Sequence, residues 1–267
     1  MALAHGACEQ PSEWTGGVGV DSFQTEAGLV VPAVTTEQMR EVDRVAIEEV
    51  GPNLYQMMEN AGRNLASMCV EMLGEAWATS PVVVLAGTGG NGGGGICAAR
   101  HLANHGGQVT LVVSDTEGLA GVPGEQFALY RATDGRLAEA RELETIESAL
   151  TVDAVLGYSL AGAPHGAASD LIGWMSQSDA PVLALDVPSG VDATSGDSAG
   201  AHVRAATTMT LALPKTGLDV GAVGDLWVAD IGIPRSVLER AGIQRPPADL
   251  FARGYRVRLT SPPRLFS

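Results

Sequence analysis

The 267-residue sequence has only three cysteines, Cys8, Cys69 and Cys97, which are odd in number and far apart. No two of them have the spacing of a metal site or of a redox motif, and this argues against a disulfide framework and against a cysteine metal centre. Free thiols are typical of the reducing cytoplasm, so we predict a cytoplasmic protein.

Positive charge is also scarce. The sequence has 16 Lys and Arg against 31 Asp and Glu, which gives a formal net charge of −15. Such a field repels nucleic-acid phosphates and anionic lipids, so we expect no nucleic-acid partner and no membrane partner. Long apolar runs are missing as well. No segment is predicted to cross a bilayer, and no basic region followed by an apolar stretch indicates a signal peptide.

The sequence does contain apolar runs that alternate with helical patterns. Strands are predicted at residues 82–86, 109–113, 152–156, 182–185, 209–213 and 226–229. Two helices are predicted before the first of these strands: one begins near Thr35 and ends before Gly51, and the next ends before Gly74. Further helices are predicted at residues 93–105, 125–132, 137–150 and 167–178. Apolar strands alternating with helices predict a three-layer α/β/α, Rossmann-like fold with a mostly parallel sheet.

The chain divides into three predicted parts. Residues 1–31 have acidic and small residues without clear periodicity, and we predict a flexible leader there. Residues 32–245 form the predicted Rossmann-like domain. Residues 246–267 are rich in Pro and Arg and are predicted to be a C-terminal tail.

Residues 87–95 form a glycine-rich loop directly after the strand at 82–86, and seven of its nine residues are glycine. The glycines indicate close approach of the backbone to another group, and a following helix N-terminus suits phosphate. Gly87, Gly89 and Gly92 also satisfy G-x-G-x-x-G, and Asp115 follows the next strand, so an NAD-dependent dehydrogenase is one hypothesis. No acid/base group for hydride transfer is evident beside it.

This loop and four further blocks resemble the YjeF N-terminal-domain family of NAD(P)H-hydrate epimerases over about residues 34–234. The blocks are residues 58–62, 87–102, 152–157, 186–192 and 230–234, in the family's order. The resemblance implies an isomerase that epimerises hydrated NADH and NADPH, with a nucleotide substrate, a homodimer and one potassium ion per subunit.

The resemblance also implies the site residues. The family's active-site aspartate matches Asp186, and its potassium ligands match Asn91, Asp153 and Ser189. Its substrate-binding segments match Gly89, Gly90, Asn91, Gly92, Gly93 and Gly94, and Gly157, Tyr158, Ser159, Leu160, Ala161, Gly162 and Ala163.

These residue types fit the implied chemistry. Asp186 follows an apolar run and is expected at the carboxyl end of a strand, where ligands bind in α/β sheets. Inverting a hydrated carbon requires loss and return of a hydroxyl group, for which a carboxyl can act as acid and then as base. Its charge also stabilises a cationic ring intermediate. Amide, carboxylate and hydroxyl oxygens are suitable ligands for a hard cation.

Three positions depart from the family pattern. Gly90 replaces an Asn and Gly94 an Asp in the loop G-x-G-N-N-G-G-D-G, and Ala161 stands where the family commonly has Lys or Arg. A second hypothesis is therefore a repurposed isomerase or cyclase that acts on a smaller secondary metabolite through Asp186, in a pocket closed near Gly94 and Ala161. A third is a non-catalytic scaffold or ligand sensor. Lys215 either supplies the positive charge missing at Ala161 or is an ordinary surface lysine.

Overall fold

The computed structural model describes residues 20–160, 162–219 and 221–260. The strands are β1 (Ser22–Thr25), β2 (Val30–Pro32), β3 (Val82–Ala86), β4 (Val109–Val113), β5 (Arg136–Ala138), β6 (Leu150–Ala154), β7 (Val182–Leu185), β8 (Thr207–Leu211), β9 (Asp225–Ala229) and β10 (Arg256–Thr260). The α-helices are α1 (Thr36–Val45), α2 (Leu54–Leu73), α3 (Gly90–Asn104), α4 (Gly121–Tyr130), α5 (Gly166–Gln177) and α6 (Arg235–Arg240).

All ten strands belong to one sheet in the order β2-β1-β10-β9-β8-β7-β6-β3-β4-β5. The seven strands from β9 to β5 are parallel to one another, and β10, β1 and β2 pair antiparallel beyond β9. The predicted mostly parallel sheet is thus confirmed, with an antiparallel extension at one edge.

Strand β3 shows why helices cover both faces of the sheet. Val82, Val84 and Ala86 pack in one apolar cluster with α2 and α3. Val83 and Leu85 point the other way and pack in a second cluster with α5. Because side chains alternate along a strand, a continuous apolar run requires cover on both faces. The predicted three-layer α/β/α architecture is confirmed.

The predicted helix at residues 137–150 is wrong. This segment contains the edge strand β5, a 3₁₀ turn at Ala140–Thr145 and the start of β6. The backbone of β5 pairs in parallel with β4, and the side chain of Glu142 accepts a hydrogen bond from the Glu139 N–H within the 3₁₀ turn. Helix propensity is a weak preference, and pairing with a neighbouring strand overrides it here.

The predicted leader and tail are also wrong in part. Residues 22–31 include β1 and most of β2, and residues 256–260 form β10. β2 pairs with β1 in a short hairpin, whereas β10 pairs with β1 and with β9 and joins distant parts of the chain. Local sequence does not reveal this distant pairing. Residues 1–19, with Cys8, and residues 261–267 lie outside the described residues.

Among the helices of the described ranges, none has both the length and the apolar character needed to span a membrane.

Candidate active site

A cavity of about 380 Å³ opens at the carboxyl ends of the parallel strands. The chain runs outward from β3 to β4 and β5 and then returns to the other side of β3 as β6. The loops after β3 and β6 therefore leave in opposite directions, and ligands bind at such a switch point in open α/β sheets. These two loops line the cavity, together with the ends of β7 and β8 and residues of α1 and α2.

The residues of the glycine-rich loop after β3 fall into two groups, those that line the cavity and those that pack against other parts of the protein. Gly89, Gly90, Asn91 and Gly94 line the cavity, whereas Gly92 and Gly93 do not. A Cβ atom at Gly92 would lie 1.8 Å from the carbonyl oxygen of Gly87, and one at Gly93 would lie 2.5 Å from a methionine sulfur. Much of the glycine content is thus required by packing within the protein, while Gly89 and Gly90 have open space beside them.

The second predicted substrate segment is also divided. Gly157, Tyr158 and Ser159 line the cavity. Among the described residues of this segment, three are not part of the lining: Leu160, Gly162 and Ala163. Ala161 lies outside the described residues.

Asp186 follows β7 and is buried at the floor of the cavity. Its φ of 67° lies in the left-handed region, which is uncommon for a residue with a side chain and is concentrated at functional sites. Oδ1 accepts hydrogen bonds from Thr210 Oγ1 (3.3 Å), the Leu211 N–H (3.2 Å) and Lys215 Nζ. Among the residues that the structure describes, Oδ2 accepts only from the Tyr158 N–H, at 3.3 Å. The first oxygen is anchored, and the second retains free lone pairs.

Lys215 is the only lysine of the sequence and is fully buried. Its Nζ forms an ion pair with Asp186 and donates to Thr210 Oγ1 (3.2 Å) and the Leu211 carbonyl (3.0 Å). The chain bends after β8, with Ala212 at a φ of 62°, and this bend brings Lys215 back to the strand end. The interpretation of Lys215 as a surface lysine is therefore wrong.

The three residues matched to potassium ligands lie together beside the β6 loop. The carboxylate of Asp153 accepts from the Ser189 N–H (2.7 Å), Ser189 Oγ (2.6 Å) and the Val155 N–H (3.2 Å). Ser189 Oγ also accepts from the Leu156 N–H, at 2.8 Å, and Asn91 Nδ2 donates to the Leu156 carbonyl, at 3.0 Å. All three side chains therefore converge on one short stretch of backbone.

Asn91 and Asp153 each have one property that is unusual for a buried group. Asn91 Oδ1 is buried and accepts no hydrogen bond from any residue that the structure describes. Asp153 is fully buried, and no cation forms a salt bridge with it among residues 20–160, 162–219 and 221–260. Burial raises the pKa of Asp153 to about 6, although hydrogen bonds from Ser189 and Val155 act in the opposite direction. An orphaned acceptor beside an uncompensated buried carboxylate fits a bound cation.

One side of the cavity is apolar, and sequence reasoning missed it. Met39 belongs to α1, and Ile47 belongs to the π-helical turn at Ala46–Val50 that continues it. Leu54, Met57 and Met58 belong to α2. We call these five residues the methionine wall. The sequence signal was present in the apolar periodicity of both helices, but that periodicity does not distinguish a core position from a cavity position.

A single acid, Asp43, interrupts the methionine wall. Tyr158 Oη donates to Asp43 Oδ2 at 2.5 Å, and the ring of Tyr158 has Lys215 Nζ 5.6 Å from its centroid. Burial raises the pKa of Asp43, although the bond from Tyr158 acts against this shift. Burial and then the charge of Asp43 raise the pKa of Tyr158. Sequence reasoning identified Tyr158 but not its partner.

The departure at Gly94 leaves the cavity open. Gly94 is part of the lining, and a Cβ atom there would lie 2.8 Å from Leu185 Cδ2. A side chain at this position would therefore have to displace the end of Leu185. The smaller-substrate hypothesis expected a pocket closed near Gly94, and the cavity does not have this shape.

A second polar cluster connects α2, α3 and α4 away from the cavity. Glu59 accepts from Arg100 Nη2 at 2.6 Å and pairs with His101 Nε2 at 2.7 Å. Glu59, Cys97 and His101 offer metal-type ligand atoms within 4.8 Å of one another. However, Arg100 Nη2 lies 3.5 Å from Cys97 Sγ and 3.3 Å from His101 Nε2. A permanent cation among the ligand atoms opposes metal binding, so this cluster is an ion-pair network that connects helices.

Glu59→Gln should destabilise the protein at neutral pH by about 1.5–3 kcal/mol, the usual contribution of hydrogen bonds to a charged group. Burial acts to raise the pKa of Glu59, but bonds from Arg100 and His101 outweigh it and lower the pKa from 4.5 to about 2. The ionised form therefore stabilises the fold above about pH 4.5, and this contribution is lost as the pH falls through 2. Urea unfolding at pH 7 and pH 3 measures the difference, which should be smaller at pH 3. Glu48 is exposed, so Glu48→Gln serves as the control and should change the free energy of unfolding by less than about 0.5 kcal/mol. Equal losses at both pH values for Glu59→Gln would contradict a stabilising role for the ionised carboxylate.

The chain is similar in sequence to known proteins. The family described as YjeF-related protein N-terminus matches residues 54–217. The chain is 51% identical over 241 residues to an NAD(P)H-hydrate epimerase of Dehalogenimonas lykanthroporepellens, covering 90% of this chain and 97% of that protein. It is 35% identical to an NAD(P)H-hydrate epimerase of Truepera radiovictrix, covering 79% and 94%.

Two further similarities concern the extent of the chain and its fold. The chain is 35% identical to a bifunctional NAD(P)H-hydrate repair enzyme of Salinibacter ruber, and it spans 46% of that longer protein. The crystal structure of yeast ynu0 (YNL200c) superposes with a TM-score of 0.70 over 80% of this chain and 95% of the yeast chain, at 21% identity. The family match over most of the chain and the 51% identity lead to one conclusion: this chain belongs to the family of YjeF-related protein N-terminal domains.

Proposed function

We propose that this protein is an NAD(P)H-hydrate epimerase, an isomerase that interconverts the R and S forms of hydrated NADH and NADPH. The observation that carries the proposal is the Asp186–Lys215 ion pair at the floor of the switch-point cavity. The names of relatives that this chain covers almost completely support the same reaction. An acid with one anchored and one free oxygen is what reversible loss of a hydroxyl group requires.

Asp186 is the proposed acid/base group. Its protonated form gives a proton to the departing hydroxyl group, the C–O bond breaks, and water and an iminium ion of the ring result. The carboxylate then stabilises the cationic ring. Oδ2 is the reacting oxygen, because Oδ1 is engaged by Thr210, Leu211 and Lys215. The role of Lys215 is to hold the carboxylate in this orientation.

The N-terminus of α3 is the proposed position of the dinucleotide's phosphates. Gly89 caps this 15-residue helix without a side-chain hydrogen bond, and Thr88, Gly89 and Gly90 line the cavity mouth. Free backbone N–H groups and the positive end of the helix dipole favour a phosphate there. This local device offsets a formal net charge of −15 that otherwise repels an anionic substrate.

We further propose one potassium ion per subunit, held by Asn91, Asp153 and Ser189. The orphaned Asn91 Oδ1 and the uncompensated Asp153 carboxylate support this ligand set. When bound, the ion supplies a fixed positive charge that neutralises Asp153 and stiffens the β6 loop. The Leu156 carbonyl is a further oxygen within the cluster.

Potassium should stabilise the protein against heat. An ion that binds only the folded state adds RT ln(1 + [K⁺]/Kd), about 2.7 kcal/mol at 100 times Kd, which corresponds to a rise in Tm of several °C. Thermal unfolding in KCl and in LiCl at equal ionic strength measures the effect. Asp153→Asn should abolish the difference, and the exposed Asp179→Asn should retain it. Equal Tm values in both salts for the unchanged protein would reject this potassium site.

The direct test of the function mixes purified protein with the pure R epimer of hydrated NADPH, with and without potassium, and follows the S epimer by NMR. Conversion well above the uncatalysed rate supports the epimerase and shows that Gly90, Gly94 and Ala161 are tolerated departures. No acceleration would reject the proposal and favour a smaller substrate at Asp186, or a scaffold. Binding of unmodified NAD, tested in parallel, would favour the dehydrogenase hypothesis.

We also propose that the protein is a cytoplasmic homodimer, as the family resemblance and the free cysteines imply. Cys69 and Cys97 are unpaired and buried. Light scattering on the purified protein measures the mass directly, and a monomer at all concentrations would contradict the dimer.

A further inference from the structure

The ring of the proposed substrate has two faces, and inversion needs chemistry on both of them. A hydroxyl group that leaves and returns on one face regenerates the same epimer. The opposite epimer forms only if water adds to the other face and loses its proton there. In the proposed function Asp186, which follows β7 and lines the cavity, acts on one of these faces.

Asp43 is the remaining acid of the cavity. Of the described residues that line the cavity, only Asp43, Asp186 and Lys215 have acidic or basic side chains, and Lys215 is paired with Asp186. Within the described part of the chain, Asp43 forms no salt bridge, and its Oδ1 takes part in no hydrogen bond. It lies in the last turn of α1, where the backbone N–H groups are already bonded within the helix, so it has no N-terminal capping role.

Tyr158 connects the two acids. Its backbone N–H donates to Asp186 Oδ2, and its hydroxyl donates to Asp43 Oδ2 at 2.5 Å. The two carboxyl groups therefore contact opposite ends of the same tyrosine, Asp186 at the sheet and Asp43 beside the methionine wall. If a flat ring binds between the sheet and the methionine wall, this arrangement offers one carboxyl group to each of its faces.

We propose that Asp43, acting through the hydroxyl of Tyr158, is the second acid/base group of the reaction. This inference rests on the proposed function. From the R epimer, Asp186 donates a proton and water leaves; a second water then adds to the opposite face of the iminium ion. That water forms the new C–O bond and gives its proton to the Tyr158 hydroxyl, which passes its own proton to Asp43. The enzyme is left with Asp186 ionised and Asp43 protonated, the form that processes the S epimer.

The experiment is carried out in H₂¹⁸O and follows two initial rates from the R epimer: inversion to S, and ¹⁸O uptake into R. In the unchanged protein we expect ¹⁸O mainly in S. In Asp43→Asn and in Tyr158→Phe, inversion should fall by about 100-fold or more, since one acid/base group contributes roughly 10²–10⁴-fold. ¹⁸O uptake into R should continue, because Asp186 still removes the hydroxyl group.

Three controls separate the possible failures. Glu37→Gln changes an exposed acid on the same helix and should alter neither rate. Asp186→Asn should lose both rates. An unchanged protein without inversion or exchange would mean that the proposed function itself fails. If Asp43→Asn and Tyr158→Phe, still folded by thermal unfolding, change inversion and exchange by the same factor or change neither, the second acid/base group is rejected.

Discussion

Asp186→Asn should lower the rate of R-to-S conversion of hydrated NADPH by about 10²–10⁴-fold, the range of a lost acid/base group. Asparagine keeps the size of the side chain and a carbonyl oxygen that accepts from Thr210 and Leu211. It has no proton to give to a departing hydroxyl group and no charge to stabilise the iminium ion. The loss should therefore appear in kcat rather than in KM, since the lost interaction operates only in the transition state.

The matched control for this variant is Asp170→Asn, an exposed aspartate on α5 outside the cavity lining. It should convert the R epimer at the rate of the unchanged protein. Potassium-dependent thermal stabilisation should persist in Asp186→Asn, because the proposed ion site uses other residues, and this shows that the variant is folded. A fully active Asp186→Asn would remove Asp186 from the mechanism.

Lys215→Met should lower the free energy of unfolding by about 3–5 kcal/mol, among the largest effects of any single substitution. Methionine fills similar space but leaves the carboxylate of Asp186 buried without its cation. Thr210 Oγ1 and the Leu211 carbonyl also lose a donor. The midpoint and slope of urea unfolding measure the change.

A double-mutant cycle distinguishes the ion pair from simple loss of packing. Asp186→Asn with Lys215→Met removes both charges, so the double variant should be more stable than the sum of the single effects predicts. Additive losses would mean that the two charges do not interact in the folded protein. As Lys215 is the only lysine, its acetylation is resolved directly by mass spectrometry; slow reaction in the folded protein is the expected sign of its burial.

Most of the central sheet was predictable from the sequence. Strands β3, β4 and β7 begin and end as their apolar runs predict, since a buried parallel strand must be apolar on both faces. The segment at residues 137–150 and the added strands β1 and β10 were not predictable in this way. Their structure depends on pairing with strands far away in sequence, and the local pattern of apolar residues does not indicate that pairing.

For the site, the residue types were predictable, and their partners were not. The loop after β3 was found because strand ends carry ligands in this architecture, and the family resemblance identified Asp186, Asn91, Asp153 and Ser189. The sequence did not reveal which glycines face the cavity and which face protein atoms, since both kinds look the same in a glycine-rich loop. Gly89 lines the cavity, whereas Gly92 packs against Gly87.

By itself, the sequence determined the α/β class, the alternation of strands and helices along the central part of the chain, and the place of Asp186 at the end of a strand. Only the tertiary structure decided that Lys215, 29 residues from Asp186, is its buried partner and that Asp43, 115 residues from Tyr158, accepts a hydrogen bond from its hydroxyl group. The physical reason is that apolar periodicity depends on local backbone geometry and is visible in a short segment. The pairing of polar groups depends on which strand and helix ends the completed sheet brings together.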